Sequence, residues 1–315
     1  MPQPKLGLVL GSGSSRGWAH IGVIEAFEEQ NIEIHMITGA SAGSFIAASY
    51  AGGGLENIKK FALDMDWKRV LTYLDIAFPR SGFIDSKKVA DLIKLYTNIE
   101  NIEDLKIPVQ MVTTDMHSGE QVVLKKGSVT EALRASMAVP GLLTPIQIED
   151  AWLVDGGVVN PLPIDVCRDM GADIVVAVDL NSERKSKKSQ MLTSAEQKSK
   201  TAVIEKKRLE VITSWIVRYG PAGKAVSTKI DQWFSREEPS PHIFEILVSS
   251  LNIMQRKIEQ MNLETHPPDI LIRPRLGDMK FFDYDQAEIA IEEGYRRGKE
   301  AIPTILEQIN SFSHQ

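Results

Sequence analysis

Ile34-His35-Met36-Ile37-Thr38-Gly39-Ala40-Ser41-Ala42-Gly43-Ser44-Phe45-Ile46-Ala47-Ala48 joins a β-like run to a helix-like one through the pattern G-x-S-x-G. A serine on a tight strand-to-helix turn, with Gly39 and Gly43 on either side to relieve crowding, has the form of a nucleophile elbow. Such a turn holds the hydroxyl out, and the N-terminus of the following helix favours negative charge formed beside it. The five-residue pattern arises by accident in roughly one chain in ten of this length at ordinary Gly and Ser usage. Its weight therefore comes from its surroundings.

Upstream, Leu6 to Leu10 reads as a buried strand, Gly11-Ser12-Gly13-Ser14-Ser15-Arg16-Gly17 as a glycine-rich loop, and the stretch through Ile24 and Phe27 as a helix. Together with the strand before Gly39 this makes an opening βαβ unit, which predicts an α/β sheet. Downstream, strands are predicted at Val109–Thr114, Gln121–Leu124, Ala151–Val154 and Asp173–Leu180, the last suited to a sheet centre. Helices fit Leu55–Met65, Ser86–Tyr96, Val129–Met137 and Pro163–Met170. From Ser182 to Ser189 the chain is a charged, Ser-rich linker, after which the periodicity is helical until a strand pattern returns near Asp269–Pro274, followed by a helix around Asp285–Ile302. The predicted organisation is an α/β catalytic core over residues 1–182, a helical insertion over 183–268, and a C-terminal strand and helix over 269–315 that return to the core.

A chain of 315 residues, 43% of them hydrophobic, can bury a sizeable core. A formal net charge of -6 gives no global attraction to nucleic acid. The single cysteine, Cys167, rules out an intramolecular disulfide and a Cys-based zinc cluster, and reads as a small apolar filler of a helix. The apolar run ending at Gly11 is too short for a signal peptide, and no uninterrupted run approaches the roughly 20 residues of a spanning helix. A cytoplasmic protein is expected, with peripheral contact at the inner face of the membrane still open to it.

The Gly11–Gly17 loop admits three readings. A dinucleotide turn is disfavoured, because the glycines are spaced G-x-G-x-x-x-G and the second strand ends at Thr38-Gly39, where an acidic ribose ligand would be wanted. A merely structural turn is the second. The third, preferred, is an oxyanion hole in which small residues let successive backbone N–H groups converge on a developing oxyanion. Arg16 could orient that loop or attract an anionic head group.

A hydrolase serine needs a base. The six histidines, His20, His35, His117, His242, His266 and His314, have no motif context, and His20 and His35 fall inside regular elements where a structural role is usual. Trp152-Leu153-Val154-Asp155-Gly156-Gly157 instead puts a carboxylate just past an apolar strand, followed by glycines that admit another backbone. Asp115 and Asp179 are rival carboxylates at strand ends.

The combination of Gly11–Gly17, Gly39–Gly43 and Asp155-Gly156-Gly157 resembles the patatin-like phospholipases, most of all their bacterial single-domain members. Supporting stretches are Thr114–Gly119, Ala135–Gly141 and Val159–Pro163, and the resemblance covers about residues 5–182 and 269–300. It implies a three-layer α/β/α core with a central, mostly parallel sheet. It also implies a Ser41–Asp155 dyad with Ser41 as nucleophile and Asp155 as base, no metal or other cofactor, and an oxyanion hole near Gly13 and Ser14 within the segment Gly11, Ser12, Gly13, Ser14, Ser15 and Arg16. Gly39 and Gly43 belong to the elbow, and Gly156 and Gly157 to the acid loop. Where the family commonly has an unbroken glycine run this chain has Ser12 and Ser14, and a serine forced to positive φ is strained.

The expected reaction is hydrolysis of lipid acyl esters by a phospholipase A or lysophospholipase, with lipid or phospholipid as substrate. The alternatives are a carboxylesterase acting on neutral or soluble esters, and a low-activity regulatory or scaffold protein of the same fold. An ordinary Asp, with a pKa near 4, is a weak base at neutral pH, and partial burial should raise it. In the insertion, apolar residues recur at helical spacing in three stripes: Leu209 to Tyr219, Val226 to Phe234, and Phe244, Leu247, Val248, Leu251, Met254, Ile258 and Met261. They are expected to pack on the core, to form a lid, to meet lipid together with Lys206, Lys207 and Arg208, or to meet a partner subunit in a homo-oligomer.

Overall fold

Eight strands, β1 (Leu6–Leu10), β2 (Met36–Ala40), β3 (Val109–Asp115), β4 (Gln121–Leu124), β5 (Ile146–Ile148), β6 (Ala151–Asp155), β7 (Ile174–Val178) and β8 (Ile270–Ile272), form one sheet in the order β5-β6-β3-β2-β1-β7-β8, with β4 also on β3. The computed structural model describes residues 4–66, 99–181, 243–277 and 279–312. The strands from β3 through β2, β1 and β7 to β8 are parallel, while β4 and β6 run antiparallel to β3 and β5 antiparallel to β6.

Seven helices accompany the sheet among the described residues: α1 (Ala19–Glu29), α2 (Ala42–Ala51), α3 (Leu55–Leu63), α4 (Val129–Ser136), α5 (Ile164–Asp169), α6 (Ile243–Thr265) and α7 (Ala287–Phe312). Strand side chains alternate between two faces, and the two faces meet different helices. Leu6, Leu8 and Leu10 of β1, with Ile174, Val176 and Val178 of β7, share a core with Ile21, Ile24 and Phe27 of α1, Phe45 and Ile46 of α2, Leu133 of α4 and Ile291 and Ile305 of α7. Val9, Val175 and Ala177 share the opposite one with Ile164 and Cys167 of α5 and Leu263 of α6. The result is a three-layer α/β/α fold around a mostly parallel sheet, the arrangement that buries strands such as β1 and β7 along their whole length. Cys167 is free and buried, the apolar filler its composition suggested.

Several boundaries differ from the sequence expectation. Ile146-Gln147-Ile148 pairs with β6 as a short hairpin strand turning at Glu149, whose φ is +52°. Three residues give too little alternation for period counting to register. The final helix runs through Pro303 to Phe312 instead of stopping at Ile302. Proline removes only its own N–H and crowds the preceding turn, and Pro303 is exposed, so water can satisfy the carbonyl released. The predicted helix Ser86–Tyr96, the linker from Ser182, the stripes Leu209–Tyr219 and Val226–Phe234, and Lys206, Lys207 and Arg208 lie outside the described residues.

The end of the chain closes the fold. β8 extends the sheet beside β7, and α7 lies along α1 at such close range that a Cβ placed on Gly22 would stand 1.9 Å from the Ile291 carbonyl oxygen, and one on Gly294 2.0 Å from that of Ala19. No helix among the described residues is long and apolar enough to cross a membrane. Gly22→Ala is therefore expected to cost about 3 kcal/mol, at the upper end of overpacking penalties, in urea unfolding followed by circular dichroism; a loss below about 0.5 kcal/mol, the level of a neutral surface change, would contradict the close α1–α7 contact.

Candidate active site

The pairings of β3 bring two strand ends together. Val112 pairs with Ala40 of β2 and with Val123 of β4, so β2 and β4 flank it on opposite edges; Thr113 pairs with Asp155 of β6 and with Val122 of β4, so β6 also lies opposite β4. Hence β2 and β6 share one edge of β3, the first parallel to it and the second antiparallel. Their C-terminal ends meet head to head between Val112 and Thr113. Ser41, one residue past β2, and Asp155, the last of β6, face each other there, and Ser41 Oγ donates a 2.5 Å hydrogen bond to Asp155 Oδ2.

Ser41 adopts φ 56°, ψ −121°, a left-handed conformation unfavourable for any residue with a side chain. The surroundings hold it there. Its N–H donates to Ser136 Oγ at 3.1 Å, and Ser136 in turn donates to the Val112 carbonyl at 2.7 Å. A Cβ at Gly43 would stand 1.9 Å from the Leu10 carbonyl oxygen, and one at Gly39 2.5 Å from the Ser44 nitrogen. The two glycines of the motif are thus demanded by the approach of α2 to β1 and of the elbow to itself. Because α2 starts at Ala42, its positive end lies at the serine. Ser136 sits in a stretch already noted for its resemblance, yet no local pattern pointed to its contact with Ser41.

Asp155 is buried, and both its oxygens are engaged. Oδ2 accepts from Ser41 and Oδ1 from the Gly157 N–H at 2.7 Å, while its own N–H donates to the Ala138 carbonyl at 3.0 Å. Burial raises its pKa to about 6, against the lowering pull of the Ser41 and Gly157 hydrogen bonds. The carboxylate is ionised at neutral pH but far more basic than an exposed one.

The Gly11–Gly17 loop adjoins both residues. A Cβ at Gly17 would be 2.6 Å from that of Ala42, and one at Gly157 3.1 Å from that of Ser12. Its N–H groups divide in two. Gly11 donates to Val178 O, Ser12 to Pro161 O, Ser15 to Phe281 O and Arg16 to Gly13 O, whereas those of Gly13 and Ser14 have no partner among the described residues. Ser14 does take a positive φ, +52°, the strain foreseen for a serine in this loop. Its side chain compensates, with Oγ 2.7 Å from both Phe281 O and the Tyr284 hydroxyl. Arg16 is buried, its guanidinium donating to Gly13 O, Leu180 O and Asn252 Oδ1, so it braces the loop from within. Phe281, Tyr284 and Asn252, all far away in sequence, carried no signal of this role.

No histidine is hydrogen-bonded to Ser41 or Asp155 among the described residues. His20 Nε2 donates to Gly11 O at 2.8 Å, and burial lowers its pKa to about 4, leaving it neutral and structural. His35 Nδ1 accepts from Leu6 N–H, His117 and His266 are exposed, and His242 and His314 lie outside the described residues. Asp115 accepts from the His117 N–H within its own turn, and Asp179 accepts from Arg273 and the Asn181 N–H. Among the described residues no group of three or more His, Cys, Asp or Glu is placed to hold a metal ion.

The family model for patatin-like phospholipase matches residues 8–168, which span the loop, the elbow and the acid strand. The chain belongs to the patatin-like phospholipase family. It is 35% identical over 178 residues to an uncharacterized NTE family protein of Mycobacterium tuberculosis, covering 56% of this chain and 49% of that one. It is 36% identical over 185 residues to patatin-like phospholipase domain-containing protein 6 of Homo sapiens, covering 56% of this chain and 13% of the human one. Over 184 residues it is 36% identical to the lysophospholipase nte1 of Aspergillus fumigatus, covering 56% and 12%. The matched segment thus spans half or less of each relative. Among solved structures, VipD from Legionella pneumophila aligns over 96% of this chain and 67% of its own with a TM-score of 0.48 and 15% identity.

The raised pKa of Asp155 has a consequence for stability. A carboxyl whose folded pKa lies above its unfolded one stabilises the fold fully while protonated, below about pH 4, and that contribution is lost as pH rises through about 6. Asp155→Asn, which cannot ionise, should therefore gain on the parent protein across this window, by up to about 3 kcal/mol at pH 7, in unfolding measured at several pH values. A difference that does not change between pH 4 and 7 would contradict a raised Asp155 pKa.

Proposed function

We propose that this protein is a serine acyl hydrolase of lipid esters, of phospholipase A or lysophospholipase type, with Ser41 as nucleophile and Asp155 as its base. The observation that carries this reading is the 2.5 Å hydrogen bond from Ser41 Oγ to a buried carboxylate whose pKa stands at about 6. Family membership and a relative named lysophospholipase support the substrate class.

In the first step Asp155 Oδ2 takes the Ser41 proton as Oγ attacks the ester carbonyl. The carbonyl oxygen becomes an oxyanion that accepts hydrogen bonds from the Gly13 and Ser14 amides, with the N-terminus of α2 adding favourable potential. Collapse of the tetrahedral species breaks the ester bond, and the departing alcohol oxygen takes the proton from Asp155. Water then enters. Asp155 accepts a proton from it as its oxygen attacks the acyl-Ser41 carbonyl, and returns that proton to Ser41 Oγ when the fatty acid leaves. No third side chain is needed to shuttle protons, and the second carboxylate oxygen stays fixed by Gly157 throughout.

Domain organisation enters the same reading. The α/β body built from both ends of the chain is the catalytic unit, and residues 183–268 are an insertion whose last helix, α6, walls the site. The protein acts as a cytoplasmic enzyme that meets its lipid at a membrane surface, as a monomer or a homo-oligomer.

Turnover of lysophosphatidylcholine should rise with pH along a single acid limb with an apparent pKa near 6, because only ionised Asp155 can take the proton. Ser41→Ala and Asp155→Asn should each lower kcat by at least about 10³-fold, and the double variant should be no worse than either, as for residues that act in one step. Retention of a tenth of the activity in Asp155→Asn, or losses that multiply in the double variant, would overturn the dyad. Turnover of short soluble esters with no action on the lysolipid would transfer the protein to the carboxylesterases.

A further inference from the structure

Helix α6 buries two polar residues more deeply than its apolar stripe, in which Leu247, Val248, Leu251 and Ile258 are half-buried. Met254 and Met261 are 52% and 64% exposed, whereas Asn252 and Glu259 are 4% and 3% exposed. Asn252, Gln255, Glu259 and Asn262 follow at spacings of three and four, hence on one face of the helix, and that face lies against the loops of the site. Asn252 Oδ1 accepts from Arg16, and Arg16 Nε donates to Gly13 O. Gln255 Nε2 is within 2.5 Å of where a Cβ on Gly157 would be. Asn262 Nδ2 donates to Asn160 Oδ1. The Glu259 carboxyl meets Asp179 and Asn181 at the end of β7, and Asn181 Nδ2 donates to Ser12 O at 3.1 Å.

A carboxyl in that place needs a proton. Glu259 Oε1 and Asn181 Oδ1 are buried without a hydrogen-bond donor among the described residues. Facing Glu259 are the Asp179 carboxylate, itself paired with Arg273, and the Arg16 guanidinium. Burial and Asp179 together push the Glu259 pKa well above the usual carboxylate range, and the opposing pull of Asn181 and Arg16 is smaller. Protonated, Glu259 can donate to the Asp179 carboxylate, which also accepts from Arg273 and the Asn181 N–H; ionised, it sets two negative charges against each other in a buried place.

We propose that Asn252 and Glu259 are positioning residues for the oxyanion loop, acting through Arg16 on Gly13 and through a proton held between Glu259 and Asp179 that keeps Asn181 on the Ser12 carbonyl. This rests on the Ser41–Asp155 reading for its catalytic consequence. When the carboxyl pair loses its proton, α6 and the end of β7 repel, the loop loosens, and the Gly13 and Ser14 amides leave their alignment. Turnover then has a second, alkaline limb that Asp155 cannot produce. Stability carries the same signature, since a group with a raised folded pKa loses its contribution as pH rises through that value.

The test compares the parent protein with Glu259→Gln, which keeps the shape and offers an N–H donor in place of the carboxyl O–H but has no proton to lose, and with Asn252→Ala. Three quantities are measured against pH: turnover of lysophosphatidylcholine, thermal unfolding, and hydrogen–deuterium exchange of the segment 11–17 corrected for intrinsic rates. For the parent, an alkaline fall in kcat, a fall in Tm and faster exchange of the loop should share one midpoint. Glu259→Gln should lack all three and match the parent's neutral-pH kcat within about threefold. Asn252→Ala should lower kcat by about 10- to 100-fold, less than the loss of an oxyanion donor outright, with KM moved less than about threefold. An alkaline limb unchanged in Glu259→Gln, or its absence from the parent, overturns the proposal. A parent that never turns over lipid, yet shows the shared midpoint in Tm and loop exchange and loses it in Glu259→Gln, sinks the hydrolase reading and leaves the positioning of the loop standing.

Discussion

The contact between Ser41 Oγ and Asp155 Oδ2 depends on a constraint in the sheet: β2 and β6 divide one edge of β3 and end against each other. A parallel and an antiparallel strand on the same edge point their C-termini at the same spot, so a turn residue after one and the terminal residue of the other must meet. Everything else at the site keeps that meeting in register. Ser136 pins the strained serine to β3, Gly157 pins the free oxygen of the carboxylate, and Gly43 lets α2 approach β1 closely enough to direct its N-terminus at the hydroxyl.

Burial accounts for how a carboxylate could do the work usually given to histidine. Enclosed at the strand junction, Asp155 has its pKa moved from the ordinary carboxylate range to about 6, close to that of an imidazole. The two hydrogen bonds it accepts prevent a larger shift, so the group stays charged at neutral pH. Desolvation raises basicity while the hydrogen bonds preserve ionisation. The candidate site uses the balance between them.

Much of this was legible in the sequence because local rules carry it. The elbow, the glycine loop and the strand ending in Asp155 are contiguous motifs, and the apolar stretches Leu6–Leu10 and Asp173–Leu180 read as buried strands, which the sheet contains as Leu6–Leu10 and Ile174–Val178. The contacts that complete the site are long-range. Ser14 is anchored by Phe281 and Tyr284, and Arg16 by Asn252, across more than two hundred residues of chain. No periodicity encodes such pairs. Helix α6 shows the limit most clearly: of its apolar stripe Leu247, Val248, Leu251 and Ile258 are half-buried and Met254 and Met261 exposed, because the helix covers loops rich in carbonyls and charge and turns Asn252 and Glu259 furthest inward. What a helix must face decides which of its sides is interior.

Whether Ser41 is a nucleophile activated by Asp155 alone is read from the rate of its covalent capture. The protein is incubated with a fluorophosphonate and followed by intact-mass and peptide mass spectrometry across pH 4.5–8. A single adduct is expected on Ser41, forming at a rate that rises with an apparent pKa near 6, unchanged when His20, His35, His117 or His266 is replaced, and nearly lost in Asp155→Asn. Labelling of another residue, or a Ser41 adduct that forms at full rate in Asp155→Asn, would contradict it.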